Sequence, residues 1–272
     1  MRHPVLVRSM KTLRRRRPSR SQDQPQRYVL IGLGGIGAQV LRLLVPFLHS
    51  RNVPATVVLI DGDHFEERNR DRMCFARLGP KAVVLGEELA AAYGDRITIL
   101  PVPHYLTPRN AAAFILEGDV VFCQPDNHAT RRLVERRGAQ LRTVTLFSGG
   151  NDGVEDGKTG TYGNVQVYLR TGSQNRTNTL SRFHPEIARP ADRLPTAQGC
   201  GVSFASAPQL LFTNAAVAAA MLGAFYAWTR GALAYEEAYL DILAARMVPV
   251  HRAVAKSMTK RGGKQLSQGG SV

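Results

Sequence analysis

Apolar runs alternate with amphipathic stretches along most of the chain. RYVLI, residues 27–31, is a continuous apolar run that enters glycines, and AQVLRLLVPFLHS, residues 38–50, repeats its apolar positions at helical spacing. ATVVLID, residues 55–61, is a second apolar run, so strand–helix–strand is complete by Asp61. KAVVLGEELAAAYG predicts a helix, RITILPVPH a third strand and AAAFILEG a short helix. DVVFCQP predicts a fourth strand, ATRRLVERRGAQ a helix and TVTLFSGG a fifth strand. Alternation of this kind predicts an α/β fold, a mainly parallel sheet with helices on both faces. GNVQVYLR predicts a later strand that suits antiparallel pairing. Residues 171–200 are polar, contain prolines and lack periodicity, which predicts a long crossover loop of the kind that is usually functional or disordered. A C-terminal helix from about 207 to 230 follows, then YEEAYLDILAARMVPV, then the basic tail.

Charge divides the chain. Of the formal +15, residues 1–27 carry +8 and residues 251–272 carry +5, which leaves +2 for residues 28–250. The expected organisation is a disordered basic arm over 1–26, a near-neutral globular domain over 27–250 and a basic tail over 251–272. At 272 residues and 44% hydrophobic, the chain can bury a substantial core. The tails suit a nucleic acid or an acidic partner, or are simply solubilising ends. Three scattered cysteines, Cys74, Cys123 and Cys200, form no disulfide framework and no C-x-x-C zinc pair. A cytoplasmic, reduced environment is the expectation. The start has no apolar signal core, although its arginine-rich composition loosely resembles an organellar transit peptide. The uncharged span 194–229 is Ala-rich and carries Asn214, which reads as a core helix and not a membrane span.

The candidate chemistry starts at Gly32-x-Gly34-Gly35-x-Gly37, between a strand and a helix. Missing Cβ atoms permit a tight turn and let phosphate approach N–H groups at the helix N-terminus. With Asp61 at the end of the second strand to take ribose hydroxyls, the pattern predicts a Rossmann-like nucleotide site, without separating NAD(P) from ATP. Asn69 and Arg72 follow closely. Lys81 opens a helix, where the dipole disfavours a cation and an anion is needed to compensate it. The fourth strand ends at Asp126-Asn127, where a carboxylate could hold Mg²⁺. Each residue alone has a bland reading: Asn69 a turn former, Arg72 a surface charge, Asp126 a helix cap.

Together these residues resemble the ThiF/HesA/MoeB superfamily of ubiquitin-activating-like adenylyltransferases over roughly residues 28–230. GLGGIG resembles its glycine loop. IDGDHFEERNRDR resembles its Asp-x-Asp-(x)5-Asn-x-x-Arg segment and aligns Asp61, Asp63, Asn69 and Arg72. GPK gives Lys81, PDNHATR gives Asp126, Asn127 and Arg131, and CGVSFASAPQLLFTN resembles the crossover bearing the family cysteine, here Cys200. Within the superfamily the chain is most similar to the short ThiF-like proteins of plasmid PRTRC-type gene systems, which share a GN-x-Q strand and a late Cys followed by F-x-N. It departs from the wider family in Met73 where Gln is usual, in a short stretch from Arg72 to Lys81, and in lacking Cys-x-x-Cys pairs and an N-terminal Arg-Tyr-x-Arg-Gln.

The resemblance implies ATP-dependent adenylylation of a carboxylate, with Mg²⁺, in a homodimer. ATP would lie on Gly32, Gly34, Gly35 and Gly37 with its ribose on Asp61; Arg72 and Lys81 would stabilise phosphates, Asn69 would orient them, and Asp126 would hold the metal. The acceptor would be the C-terminus of a ubiquitin-like or sulfur-carrier protein, or a peptide. Cys200, between two glycines and before a helix, is the candidate thiol to receive the acyl group, though a free Cys is as often a small buried hydrophobe. Cys123 reads as core, Cys74 as packing, and the seven histidines suggest no metal site. Two rivals stand beside this reading. One is an NAD(P)-dependent oxidoreductase, in which Lys81 and Asp126 would be idle; the other is a non-catalytic nucleotide-binding scaffold.

Overall fold

The computed structural model describes residues 25–70, 73–155, 157–197 and 209–251. Arg72, Cys200, the basic arm up to residue 24 and the tail from residue 252 lie outside the described residues.

The chain opens with β1 (Gln26–Ile31), α1 (Gly35–Ser50) and β2 (Ala55–Ile60), followed by two short strands, β3 (His64–Phe65) and β4 (Gly79–Pro80). Next come α2 (Lys81–Tyr93), β5 (Ile97–Val102), α3 (Ala111–Phe114), β6 (Val120–Cys123), α4 (His128–Gln140) and β7 (Val144–Asn151). Two short strands, β8 (Val154–Glu155) and β9 (Lys158–Thr159), precede β10 (Tyr162–Thr171) and β11 (Gln174–Asn175). Last are α5 (Pro185–Ala188), α6 (Leu211–Thr229), β12 (Glu237–Asp241) and β13 (Arg246–Val250).

The main sheet runs β13-β12-β10-β7-β6-β1-β2-β5, with β11 beside β10. Strands β5, β2, β1, β6 and β7 are mutually parallel. Strands β10, β12 and β13 extend the sheet antiparallel. The chain moves outward from β1 to β2 and β5, then returns to β6 on the other side of β1. The direction of winding therefore reverses between β1 and β6, and a crevice opens at their C-terminal ends, where ligands bind in such sheets.

The central strands are apolar on both faces because helices cover both. Leu30, Val57, Leu59, Phe122, Phe147, Val165 and Val167 face α1, α2 and α6. Val29, Ile31, Val58, Val121, Leu146 and Tyr168 face α3, α4 and α5. Each fully buried side chain of this kind stabilises the fold by about 1.5–3 kcal/mol relative to exposure. Helix α6 is apolar all round, and one face of it, with Phe212 and Tyr226, is exposed. It is the one described helix long and apolar enough to cross a membrane by length and composition, yet it lies on the sheet with Val217, Met221 and Phe225 buried.

Glycines let α6 come close. A Cβ on Gly149 of β7 would collide with Met221, and one on Gly163 of β10 with Val217. The helix therefore rests almost on the sheet backbone, with its N-terminal turn near the C-terminal ends of the parallel strands. The segment 171–197 carries more structure than its polar sequence predicts. Its folded parts are clasped to α4: Glu135 accepts from the Ser181 N–H at 2.6 Å and from its hydroxyl at 2.7 Å, and Asp192 accepts from the N–H groups of His128 and Ala129 at 2.7 Å each.

Candidate functional site

The site grows from the end of β1. After Ile31 the chain turns through Gly32 at φ +85°, a conformation that favours glycine, and a Cβ there would stand 2.8 Å from the Pro125 nitrogen. This close approach joins the glycine turn to the loop after β6. A Cβ on Gly37 would collide with the Gly32 carbonyl, and one on Gly35 with the Asn214 amide of α6. Helix α1 then begins without a side-chain cap and without an acid in its first turn. Its first N–H groups and its positive dipole end are left for an anion.

Asp61 closes the turn from β2. Its carboxylate accepts from the Leu33 N–H at 2.5 Å and from the Asp63 N–H at 2.8 Å, and it is 7% exposed. Burial pushes its pKa up, against the attraction of Lys81; the Asp63 charge adds to the rise. Lys81, the first residue of α2, is buried, and its ammonium meets Asp63 Oδ2 at 3.1 Å. Its backbone N–H also donates to the Asp63 carbonyl at 2.9 Å. Burial alone would lower the Lys81 pKa; the Asp61 and Asp63 charges, with a smaller contribution from Asp126, raise it above the ordinary value. The compensating anions that a lysine at a helix start needs are thus supplied by the protein itself. Burial would raise the Asp63 pKa, but Lys81 and the Tyr105 hydroxyl, which donates to Asp63 Oδ1, hold it below the usual range.

Tyr105 had no sequence signal. It lies in the loop after β5, and its ring fills the space that a Cβ on Gly62 would need. Its phenol pKa is raised, by burial first and then by the Asp63 carboxylate. The segment after Asp63 is more local in its contacts. Asn69 is buried, and its side-chain oxygen accepts from the Glu66 N–H at 3.0 Å in a reciprocal cap. That bond commits the oxygen to the turn. Glu66 pairs with Arg68 and Glu67 with Arg70, all four being solvent-exposed. Phe65 stacks on Phe75 at 4.5 Å and anchors this charged loop to the core.

Beyond β6, Asn127 caps α4 by accepting from the Thr130 N–H at 2.8 Å. Asp126 is exposed, and the Asn127 amide reaches it only at 3.4 Å. Arg131 is a strut: buried, it donates to Ser148 Oγ at 2.8 Å and to the carbonyls of Pro125 and Gly149 at 2.9 and 2.8 Å. Burial lowers its pKa. Among the described residues no group of three or more His, Cys, Asp or Glu gathers as a metal site. Asp126 offers a single open carboxylate, which fits a Mg²⁺ ion shared with phosphate oxygens. Gly32, Gly34, Gly35, Gly37, Asp61, Asp63, Lys81, Asp126 and Asn127 therefore gather at the C-terminal ends of the central strands, whereas Asn69 is held in its own turn. A separate concavity of about 240 Å³ lies beside Leu169, Tyr235 and His251 and shares no residue with this site.

A model of the ThiF family matches residues 17–257. No curated protein matches the chain in sequence. Among solved structures, E. coli MccB with ATP is similar at a TM-score of 0.59 and 14% identity, covering 83% of this chain and 63% of that one. E. coli MccB with AMPCPP and MccA is similar at 0.60 and 14%, with the same coverage of 83% and 63%. PaaA is similar at 0.57 and 14%, covering 83% and 72%. The chain spans just under two thirds of these MccB chains, and at such identities the likeness shows the fold.

Proposed function

The chain belongs to the ThiF family, and we propose that it uses ATP to adenylylate a carboxylate. The observation that carries this reading is the uncapped start of α1 facing a buried acid, Asp61, which is bonded to the glycine turn and stands beside the Lys81–Asp63 pair. MccB is solved with ATP, with AMPCPP and with MccA, which supports a nucleoside triphosphate and a peptide-type acceptor as ligands here.

In the proposed reaction the glycine turn and the α1 N-terminus seat the phosphates, and Asp61 takes the ribose. Mg²⁺, held by Asp126 together with phosphate oxygens, would supply charge neutralisation. An acceptor carboxylate oxygen attacks the α-phosphorus, the bond to the β-phosphate oxygen breaks, and pyrophosphate leaves. The nucleophile is already an anion, so no general base is required; catalysis is positioning and electrostatics. Lys81, with Arg72 from outside the described residues, neutralises the phosphates, and Asn69 holds the turn that starts at Glu66. The product is an acyl-adenylate. Cys200, also outside the described residues, is the proposed thiolate that attacks the acyl carbon and releases AMP. The acceptor class is the C-terminal carboxylate of a peptide or ubiquitin-like protein, and the working unit is a homodimer.

The test is pyrophosphate release with a panel of peptides in free-acid and C-terminally amidated forms. The reading predicts release with free acids only. Absence of release across the panel, or equal release with amides, overturns it.

A further inference from the structure

Asn214 stands in the first turn of α6, fully buried, in a stretch of small apolar residues. Burial of an amide there requires a reason, because an unbonded polar group in a protein interior is costly. Half of the amide is satisfied: its oxygen accepts from the Asn151 side chain, at the end of β7, at 3.0 Å. The other half is not. Asn214 Nδ2 is shielded from solvent and has no hydrogen-bond partner. That nitrogen rests against Gly35, the first residue of α1, in the space that a side chain at position 35 would fill. Gly149 and Gly163 allow α6 to come close enough to put it there. The donor with no acceptor thus lies at the helix N-terminus that itself has no cap. Both deficits are met by one kind of atom: an anionic oxygen seated on the first turn of α1.

We infer that Asn214 is a phosphate-contacting residue, whose buried amide, held in orientation by Asn151, donates to an oxygen of the nucleotide phosphate lying on the glycine turn. This rests on the nucleotide-binding reading above and extends it. It assigns to α6, the helix that follows the crossover, a direct hand on the phosphate, and it makes Asn151 a positioning residue acting through Asn214.

Calorimetric titration of the full chain with AMP, Mg–ATP and adenosine tests it, using wild type, N214A, N214D and N151A. A hydrogen bond to a charged group corresponds to about tenfold or more in affinity. N214A should therefore bind AMP and Mg–ATP about tenfold more weakly and adenosine as wild type does. N214D, which swaps the donor for a carboxylate of the same shape, should lose at least as much. N151A should lose less, and again only with the phosphorylated ligands. Variants that bind all three ligands like wild type, or lose adenosine in equal proportion, overturn the inference and leave the nucleotide reading intact. Wild type that binds neither AMP nor Mg–ATP overturns both. If the Asn214 variants do not fold, the wild-type side-chain amide resonance of Asn214 decides: it should shift with AMP and stay with adenosine, and a resonance unmoved by AMP overturns the inference.

Discussion

Replacing Lys81 by methionine keeps the unbranched apolar stem and removes the charge. Lys81 is 6% exposed, and its ammonium meets Asp63 at 3.1 Å. Removing one partner of a fully buried pair costs about 3–5 kcal/mol. The Asp63 side chain is 49% exposed, so solvent screens part of the interaction, and the expected loss is about 1–3 kcal/mol. For a chain of this size that corresponds to a fall in Tm of roughly 2–12 °C. The pH dependence sharpens the prediction. The Asp63 pKa is depressed, so its contribution to stability is present above 3.8 and is lost as the pH falls through its folded value. The Lys81 pKa is raised, so its own contribution is complete below 10.5 and is lost as the pH rises through its folded value. Between those limits K81M should melt lower than wild type, and the gap should close on acidification below 3.8. Thermal unfolding followed by circular dichroism at neutral and acid pH measures it. A K81M curve that overlays wild type at neutral pH, or a gap that persists into acid, refutes the ion-pair reasoning.

Further outcomes follow from the same geometry. G32A forces a side chain into φ +85° and against Pro125, which should cost about 1–3 kcal/mol in thermal unfolding and weaken Mg–ATP in calorimetry. His184 lies between Glu237, 2.5 Å from Nε2, and Glu186, 2.8 Å from Nδ1. The Glu237 bond, against burial and with help from Glu186, raises its pKa, so its stabilisation is full below 6.5 and is lost as the pH rises through the folded value; H184Q should flatten that decline in melting profiles. Burial pushes the Cys123 thiol up to about 12. A thiol reagent followed by mass spectrometry should therefore modify the exposed Cys74 in the native protein, and Cys123 only after unfolding.

The parallel half of the fold was legible because its strands are buried on both faces and read as unbroken apolar runs, such as ATVVLI and VVFC. The hairpin of β12 and β13 was not. It is an edge of the sheet, Arg246–Pro249 are exposed, and YEEAYLDILAARMVPV therefore mixes polar and apolar residues without a period. In the site, the glycines and Asp61 could be read because a tight turn and a strand end leave local marks. The reason for Lys81 could be read only in part: an anion was required, but Asp63, eighteen positions away, supplies it. The resemblance aligns Arg131 with a family turn, and only the fold shows it bracing Pro125, Ser148 and Gly149. Tyr105 carries no local mark, and although Asn214 ends the F-x-N motif, its role depends on contacts with elements distant in sequence. Asn214 in particular is one amide in an Ala-rich helix, given meaning by the glycine it touches.

We propose that this glycine turn, with Asp61 and Lys81 beside it, is a triphosphate site. The most direct measurement is a calorimetric titration of wild type and K81M with Mg–ATP and with NADH. Wild type should bind Mg–ATP, K81M should bind it markedly less well, and neither should take up NADH. Tight NADH binding without Mg–ATP binding, or Mg–ATP binding indifferent to the loss of Lys81, would contradict it.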